Sequence, residues 1–460
     1  MKNCAVILAG GKGTRMKSEG PKAMCEVLFK PMLDWVIDAV VGADVDEVCV
    51  VTGFSAETIE NHLPDTISTV RQEQQLGTGH AVMQALPFIE TCGADNVIVL
   101  NGDAPFIDTD TIQKALKYHI RKDYGVTVVT SEVEDPIGYG RIIRDQQDDI
   151  EEIIEEKNAD EETKRIREVN SGVFCFKANS LVRALNVLTP DPVKGEYYLT
   201  DTLKLIISFG ERAGAFLADS ADTVLGANTR VQLGALNEIA RNRILEKLML
   251  DGVDVPCRDG VIVGPDVTVG PDTRILPGTI LCGKVSVGAG CVLGPNSFVQ
   301  NAEIGNGVTF NNAQIRQARI LDGATVGPFV QIRPDSVIGE RVHLGNFVEV
   351  KNSVIDSDTA VSHLTYVGDS DVGKHVNFGC GTVTVNFTGK KKYRTTIRDG
   401  AFIGCNTNLI APVTVGENAF TAAGSTITED VPDNALAVAR DRQVNKEGWV
   451  IRRQPYRRKI

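Results

Sequence analysis

The sequence predicts an α/β, Rossmann-like domain followed by a parallel β-helix, and three observations carry that expectation. As far as about residue 225, short apolar runs alternate with helical patterns. Beyond Val263 aliphatic residues recur at every sixth position, many of them followed by glycine. Between the two regimes lies one amphipathic stretch, Val231–Leu250. A chain of 460 residues also exceeds the size at which a single hydrophobic core stops growing, so at least two domains are expected. The divisions read from these changes are 1–229, a linker helix over 230–250, and 251–460.

In the first domain the runs Cys4–Ala9, Val48–Val51, Val97–Leu100 and Val126–Val129 are short and rich in β-branched residues, and read as strands. Met32–Val41 and Ala81–Ile89 read as helices between them. This alternation predicts βαβ units around a mainly parallel sheet, in which ligands lie beyond the carboxyl ends of the strands. The acidic stretch Asp145–Glu168 reads as a solvated excursion. In the linker, Val231, Leu233, Leu236, Ala240, Ile244 and Leu248 recur three or four apart, as on one face of a helix.

The second domain is a repeat. Its frame runs through Val263, Val269, Ile275, Leu281, Val287, Leu293 and Val299, resumes from Ile304 and Phe310 to Val350, and returns at Val372 and Ile397. A six-residue period suits a prism with one aliphatic residue pointing inward per face, and glycine at the next position lets the backbone turn. With three hexads per coil, roughly two dozen hexads give about eight coils. The frame shifts near 302–304, 315–320, 352–371 and 385–396, and these shifts are expected to be loops on one face, where sites are built. The repeat accounts for an unusual composition, 44 glycines against 6% aromatics.

Net charge is −12, which argues against general binding of nucleic acid or anionic membrane, and no apolar run is long enough to span a bilayer. The ten cysteines contain no CxxC and read as reduced thiols, and Met1-Lys2-Asn3 leads straight into a strand without a signal-peptide pattern. A cytoplasmic protein is expected.

The chemistry-bearing motifs follow the strands. Leu8-Ala9-Gly10-Gly11-Lys12-Gly13-Thr14-Arg15-Met16 leaves the first strand as a glycine-rich loop whose N–H groups can approach phosphate oxygens, with Arg15 adding charge. Lys22 lies within reach of the same phosphate, and Asp103 follows the run Val97–Leu100 at a sheet-end position. In the second domain Arg333, Glu349, Lys351, His363, Tyr366, Asn377 and Lys392 cluster around the frame shifts, where aliphatic core filling gives no reason for them. On spacing alone His363, in the shift between two repeat blocks, reads as a loop histidine facing solvent.

Taken in order, GGKGTRM, Pro21-Lys22, Gln75-Leu76-Gly77-Thr78-Gly79-His80-Ala81, Asn101-Gly102-Asp103, Gly138-Tyr139-Gly140-Arg141, Asn170-Ser171-Gly172 and Gly195-Glu196-Tyr197-Tyr198-Leu199-Thr200-Asp201 resemble the sugar-1-phosphate nucleotidylyltransferases. With the six-residue repeat, essentially the whole chain resembles the bacterial bifunctional N-acetylglucosamine-1-phosphate uridylyltransferase / glucosamine-1-phosphate N-acetyltransferase family. That resemblance implies a left-handed β-helix and two activities. One is acetyl transfer from acetyl-CoA to glucosamine-1-phosphate. The other is Mg²⁺-dependent uridylyl transfer from UTP to N-acetylglucosamine-1-phosphate, giving UDP-N-acetylglucosamine for peptidoglycan and lipopolysaccharide. It also implies a homotrimer.

By the same resemblance, Leu8, Ala9, Gly10 and Gly11 line the nucleotide pocket, with Lys22, Gln72, Gly77 and Thr78 contacting nucleotide. Asn101, Gly102, Asp103, Gly140, Glu155, Asn170 and Asn228 surround sugar and metal, and Asp103 and Asn228 are the Mg²⁺ ligands. Arg15 and Lys22 neutralise charge. His363 is the acetyl-transfer base, oriented by Glu349; Arg333, Lys351, Tyr366, Asn377 and Lys392 hold the sugar phosphate. Acetyl-CoA falls at Cys380, Asn386, Phe387, Cys405, Ala423 and Arg440. Asn101, Ser362, Cys380, Phe387 and Cys405 depart from the family's usual Tyr, Gly, Ala, Tyr and Ser. The basic tail Arg452–Lys459 is either a cofactor contact or a frayed terminus. A single-activity nucleotidylyltransferase with a structural or regulatory β-helix is the alternative, disfavoured by the polar cluster around His363.

Overall fold

The computed structural model describes residues 1–43 and 45–453, so Gln454–Lys459 of the basic tail lie outside the described residues. The chain forms two compact units, Met1–Ala240 and Arg241–Ile460.

In the first unit the main path of the sheet runs Ala213–Leu217, Val126–Glu132, Glu168–Lys177, Asn96–Asn101, Asn3–Leu8, Glu47–Thr52, Ser68–Arg71. Glu168–Lys177 runs antiparallel to both neighbours, while the other strands of this path share one direction. Asn3–Leu8 lies between Glu47–Thr52 and Asn96–Asn101, so the chain winds outward on one side of it and then on the other. The carboxyl ends of Asn3–Leu8 and Asn96–Asn101 therefore flank a topological switch point, where the loops diverge and leave a crevice.

Both sheet faces are covered. Val6, Val99 and Phe176 face one apolar layer with Leu181, and Ile7, Ile98 and Cys175 face the other with Leu33 and Ile112. This is why the strands read as continuous apolar runs rather than alternating ones. The predicted helix Met32–Val41 is observed as Met32–Gly42. Ala81–Ile89 is instead two helices, Thr78–Gln84 and Leu86–Cys92. Pro87 has no N–H to continue the first helix, and the ladder restarts there. The acidic stretch is less solvated than its composition implied: Ile150–Ile154 pairs with Arg141–Arg144, and buried Asp149 accepts from Arg212 at 2.7 Å and Tyr124 at 2.7 Å.

The linker helix spans Arg230–Leu250; Leu233, Leu236, Ala240, Leu245 and Leu248 are buried, whereas Val231 is 83% exposed in the first turn. The second unit is a parallel β-helix. One face carries nine strands, from Val267–Val269 to Val413–Val415 among the described residues, and Val431 continues it by a bridge to Val415, so there are more coils than the hexad count predicted. Val263, Ile275, Leu281, Leu293, Val299, Phe310, Ile332, Leu344, Val350, Ile403 and Leu409 form its buried axis.

Most of the frame shifts are not loops. Val299 to Ile304, Phe310 to Ile315, Ile315 to Ile320, Val350 to Ile355 and Val367 to Val372 are five-residue steps whose ends are all buried. The coil absorbs each lost residue at a corner. Only the segment between Val383–Val385 and Thr395–Ile397 is a true excursion. The recurrent glycines also act differently from expectation. At Gly345 a Cβ would stand 2.0 Å from the Ser362 carbonyl oxygen, and at Gly379 2.5 Å from the Cys405 nitrogen. Close approach of successive coils, rather than a turn in the left-handed region, is what excludes a side chain at these two positions. The left-handed corner seats are filled largely by other residues, among them Asn296, Asn312, Asn406 and Asn418.

Candidate active sites

At the switch point of the first unit lies a cavity of about 400 Å³ lined by Leu8, Ala9, Gly10, Gly11, Lys22, Gln72, Gly77, Thr78, Asn101 and Asp103, together with Ala23, Gln75, Ala81, Glu196 and Tyr198. The Gly102 N–H donates to the Leu8 carbonyl at 2.9 Å and ties the two strand ends together. Gln72 is buried and donates to the Gly77 carbonyl at 3.0 Å. Gly77 has φ +101°, and a Cβ there would stand 2.5 Å from the Tyr197 oxygen. The loop after Leu76 is thus packed on the Glu196–Tyr198 segment, and Leu199 N–H donates to the Thr78 hydroxyl at 3.1 Å.

On the rim, Lys22 donates to Asn228 Oδ1 at 2.7 Å and is ion-paired with Asp103. Arg15 donates to the same Asn228 oxygen at 3.0 Å. Asp103 and Asn228 therefore already converge on one cation, the Lys22 ammonium. A carboxylate and an amide oxygen are the hard donors Mg²⁺ accepts, so the residues fit that ion. Among the described residues no group of three or more His, Cys, Asp and Glu forms a metal cluster, so a bound ion would need oxygens from outside the protein to complete its shell.

Gly140, Glu155 and Asn170 form a neighbouring group. Asn170 N–H donates to the Gly140 carbonyl at 2.9 Å, and Glu155 Oε1 lies 3.6 Å from where a Gly140 Cβ would be. They do not line the cavity itself, but Gly172, whose N–H is held by Asn170 Oδ1 at 2.9 Å, packs against the Asn101 amide. Sequence reasoning quoted the run containing Glu196 and Tyr198 without choosing either residue. Tyr198 donates to Glu196 at 2.7 Å, and Lys157 lies 5.5 Å from its ring centroid.

In the second unit the in-register coils place Asn346, His363, Cys380, Cys405 and Ala423 in one corner column. Hydrogen bonds between levels fix the stacking: Gly381 N–H to Leu364 O at 3.0 Å, Asn406 N–H to Cys380 O at 2.7 Å and Gly424 N–H to Cys405 O at 2.8 Å. His363 is exposed, its strand held by the Thr365 hydroxyl donating to the His363 carbonyl at 2.6 Å. Asn346, not Glu349, is opposite His363; Glu349 is opposite Tyr366 and accepts from Arg333 at 2.9 Å. The carboxylate expected to orient the imidazole is thus engaged elsewhere.

Lys351 and Lys392 face each other, with Arg333 adding further positive charge nearby. The Lys351 ammonium pushes the Lys392 amine below the usual lysine range. Asn377 lies on the neighbouring strand, opposite Ala360 and Phe402. Asn386 begins the excursion loop, its carbonyl accepting from Tyr393 N–H at 2.9 Å and its amide near the Tyr366 hydroxyl at 3.5 Å. Phe387 bridges to Lys392 across the loop and is 55% exposed. Arg440 lies beside Gly424, its Cδ 3.7 Å from where a Cβ would be. Convergent cations can hold a phosphorylated acceptor, and His363 lies on the strand that pairs with the one carrying Lys351. Asp369, at the centre of this group, was not selected from the sequence.

Residues 4–224 match the nucleotidyl transferase family model, and 266–301, 317–352 and 394–429 match the bacterial transferase hexapeptide (six repeats) model, the repeat of left-handed β-helices. Three curated relatives bear the name bifunctional protein GlmU. That of Caldanaerobacter subterraneus subsp. tengcongensis is 48% identical over 449 residues, 98% of each chain. That of Clostridioides difficile is 45% identical over 446 residues, 97% of each, and that of a Geobacillus species 45% over 452 residues, 98% of each. A nucleotidyl transferase half with a lined crevice at its switch point, a hexapeptide half with its own polar column and this full-length similarity lead to one conclusion: the chain belongs to the GlmU family of bifunctional transferases, with a uridylyl-transferring and an acetyl-transferring half.

Proposed function

We propose that the second unit acetylates glucosamine-1-phosphate and that the first then converts the product and UTP into UDP-N-acetylglucosamine and pyrophosphate, each at its own site. The observation that carries this reading is that two separate polar constellations, one around Lys22 and one around His363, each lie wholly within one unit.

In uridylyl transfer, the sugar-phosphate oxygen attacks the α-phosphorus of UTP in line, the new P–O bond forms and pyrophosphate leaves. Backbone N–H groups over Leu8–Gly11 receive phosphate, Gln72, Gly77 and Thr78 fix the nucleotide, and Asn101, Gly102, Gly140, Glu155 and Asn170 position the sugar. Asp103 and Asn228 would hold Mg²⁺, which when bound supplies charge neutralisation at the phosphates. Lys22 and Arg15 swing from Asn228 to the phosphate oxygens and offset the charge that develops there.

In acetyl transfer, the sugar amine attacks the thioester carbonyl and CoA leaves as the thiol. His363 takes the amine proton as the C–N bond forms and returns it to the sulfur as the C–S bond breaks. Arg333, Lys351 and Lys392 grip the phosphate, Tyr366 and Asn377 the sugar. Cys380, Asn386, Phe387, Cys405, Ala423 and Arg440 line the CoA side, contacts at Cys380 and Cys405 being through backbone. Glu349 acts on Arg333 rather than on His363, since that is its hydrogen-bond partner. We also propose a cytoplasmic homotrimer; supporting it are the exposed stacked pairs Phe402–Phe420, centroids 5.0 Å apart, and Phe329–Phe347, 5.3 Å apart, on the β-helix surface.

The test separates the sites. His363→Ala is expected to abolish acetylation and leave uridylylation of supplied N-acetylglucosamine-1-phosphate within about two-fold, and Asp103→Ala to do the reverse. Parallel loss of both activities in either variant would overturn the assignment.

A further inference from the structure

Asp369 is 3% exposed, and its carboxylate gathers three side chains from two places in the second unit. Asn352 Nδ2 donates to Oδ1 at 2.6 Å. Lys351 Nζ, at 3.4 Å, and Asn386 Nδ2 both donate to the other oxygen, Oδ2. The backbone is clamped as well: Asp369 N–H donates to the Lys351 carbonyl at 2.9 Å, and the Asp369 carbonyl accepts from Thr395 N–H at 3.1 Å. Burial alone would raise this carboxyl, but donation from Asn352 and Asn386 and the Lys351 charge outweigh it, so the group stays ionised below its usual range.

Its two Oδ2 partners belong to different substrates in the reading above, on which this inference rests. Lys351 is on the sugar-phosphate side. Asn386 opens the excursion loop that carries Phe387 toward CoA and returns through Lys392 to the phosphate, its base closed by Tyr393 N–H to Asn386 O at 2.9 Å. We propose that Asp369 is a positioning residue that couples the two substrate subsites of the acetyl-transfer cleft through the single carboxylate oxygen shared by Lys351 and Asn386. When a phosphate draws Lys351 toward itself, Oδ2 loses one of its two donors and holds Asn386 more strongly. The loop base is then fixed with Phe387 and Lys392 in place. Binding of the sugar phosphate thereby prepares the CoA side, and by linkage CoA tightens the sugar phosphate by the same factor.

The experiment measures glucosamine-1-phosphate binding to the full-length protein by calorimetry, with and without saturating CoA, which carries no acetyl group to transfer. The wild type is expected to bind the sugar phosphate about five-fold or more tightly when CoA is present. Asp369→Asn keeps the shape and one donor-accepting oxygen but loses the charge. It is expected to bind each ligand alone while the factor falls to about one, and its KM for glucosamine-1-phosphate no longer depends on acetyl-CoA concentration. Asp369→Glu restores part of the factor. Unchanged uridylyl transfer reports that the variant is folded; if Asp369→Asn does not fold, Asn352→Ala, which loosens the same carboxylate through Oδ1 without removing either Oδ2 partner, is read in its place and is expected to lower the factor. A wild-type factor of one, or a factor retained in the variant, overturns the coupling. Failure of CoA to bind the wild type at all would overturn the cleft assignment beneath it instead.

Discussion

Replacing Lys22 with Met should move two properties of the nucleotidyl site in opposite directions. In the free protein the Lys22 ammonium is in contact with Asp103 and 2.7 Å from Asn228 Oδ1, the two groups assigned to the metal. Its side chain is 13% exposed and that of Asp103 29%, so the pair is only partly screened. A divalent cation about 4 Å from that ammonium would be repelled by roughly 2 kcal/mol in bulk water and roughly 8 kcal/mol at an effective dielectric of 20. Even the lower figure exceeds ten-fold in affinity. Lys22→Met should therefore bind Mn²⁺, used as a spectroscopic stand-in, at least ten-fold more tightly without nucleotide, read by electron paramagnetic resonance. Uridylyl transfer should meanwhile fall, because a charge-assisted contact to phosphate worth about 1.5–3 kcal/mol is gone, a ten- to hundred-fold loss in kcat/KM. Acetyl transfer should not change. Mn²⁺ binding no tighter than in the wild type would refute the argument that Lys22 stands in the cation's place.

Two further outcomes follow from packing and burial. Gly345→Ala puts a Cβ 2.0 Å from the Ser362 carbonyl oxygen, beside the level that carries His363. Backbone cannot yield as a side chain tip can, so a stability loss of about 3 kcal/mol in denaturant titration is expected, with acetyl transfer losing far more than uridylyl transfer. His119 is buried with Nδ1 2.9 Å from the Thr127 hydroxyl; burial, then the Lys177 charge, push its pKa down to about 4, with Asp123 opposing. The native state holds it neutral while the unfolded chain protonates near 6.5, so stability is full above that pH and is lost progressively as pH falls toward 4. At pH 5 the loss is about 2 kcal/mol against pH 7.5 in urea unfolding, and His119→Gln should flatten that difference.

The sequence made the two regimes legible because each repeats its own signal. Apolar runs that need burial on both faces could only be central strands, and the residues behind Leu8 and Leu100 fell where such strands open onto a crevice. The helix break at Pro87 was visible in principle and was outweighed by apolar spacing. What sequence reading lost in the first unit were residues whose role depends on a partner far along the chain. Asn228, which meets Lys22 across 206 positions, was named only through the family resemblance, and Glu196 and Tyr198, which were not chosen, reach the cavity only because Gly77 lets the Tyr197 backbone approach.

The second unit shows why counting periods misleads about sites. A strict six-residue frame treated every five-residue step as an interruption, yet Ile315, Ile355, Val361 and Val367 are as deeply buried as their neighbours. A corner can shed one residue because its left-handed seat is a local conformation, available to Asn, Asp or Gly, and the inward-pointing residues on either side stay in stack. A true loop has a different requirement: its two ends must close on each other and be pinned, since the ladder no longer holds them. Asn386 to Tyr393 does the first and Asp369 the second, and an aspartate in a left-handed seat, φ +48°, looks like every other corner residue in sequence. Its distinction lies in what it accepts from. The buried charge at that one corner is tolerated because Lys351, Asn352 and Asn386 satisfy it, and Lys351 and Asn386 are the two proposed to meet the substrates. The residue that organises the acetyl-transfer cleft is therefore hidden by the regularity that makes the fold easy to read.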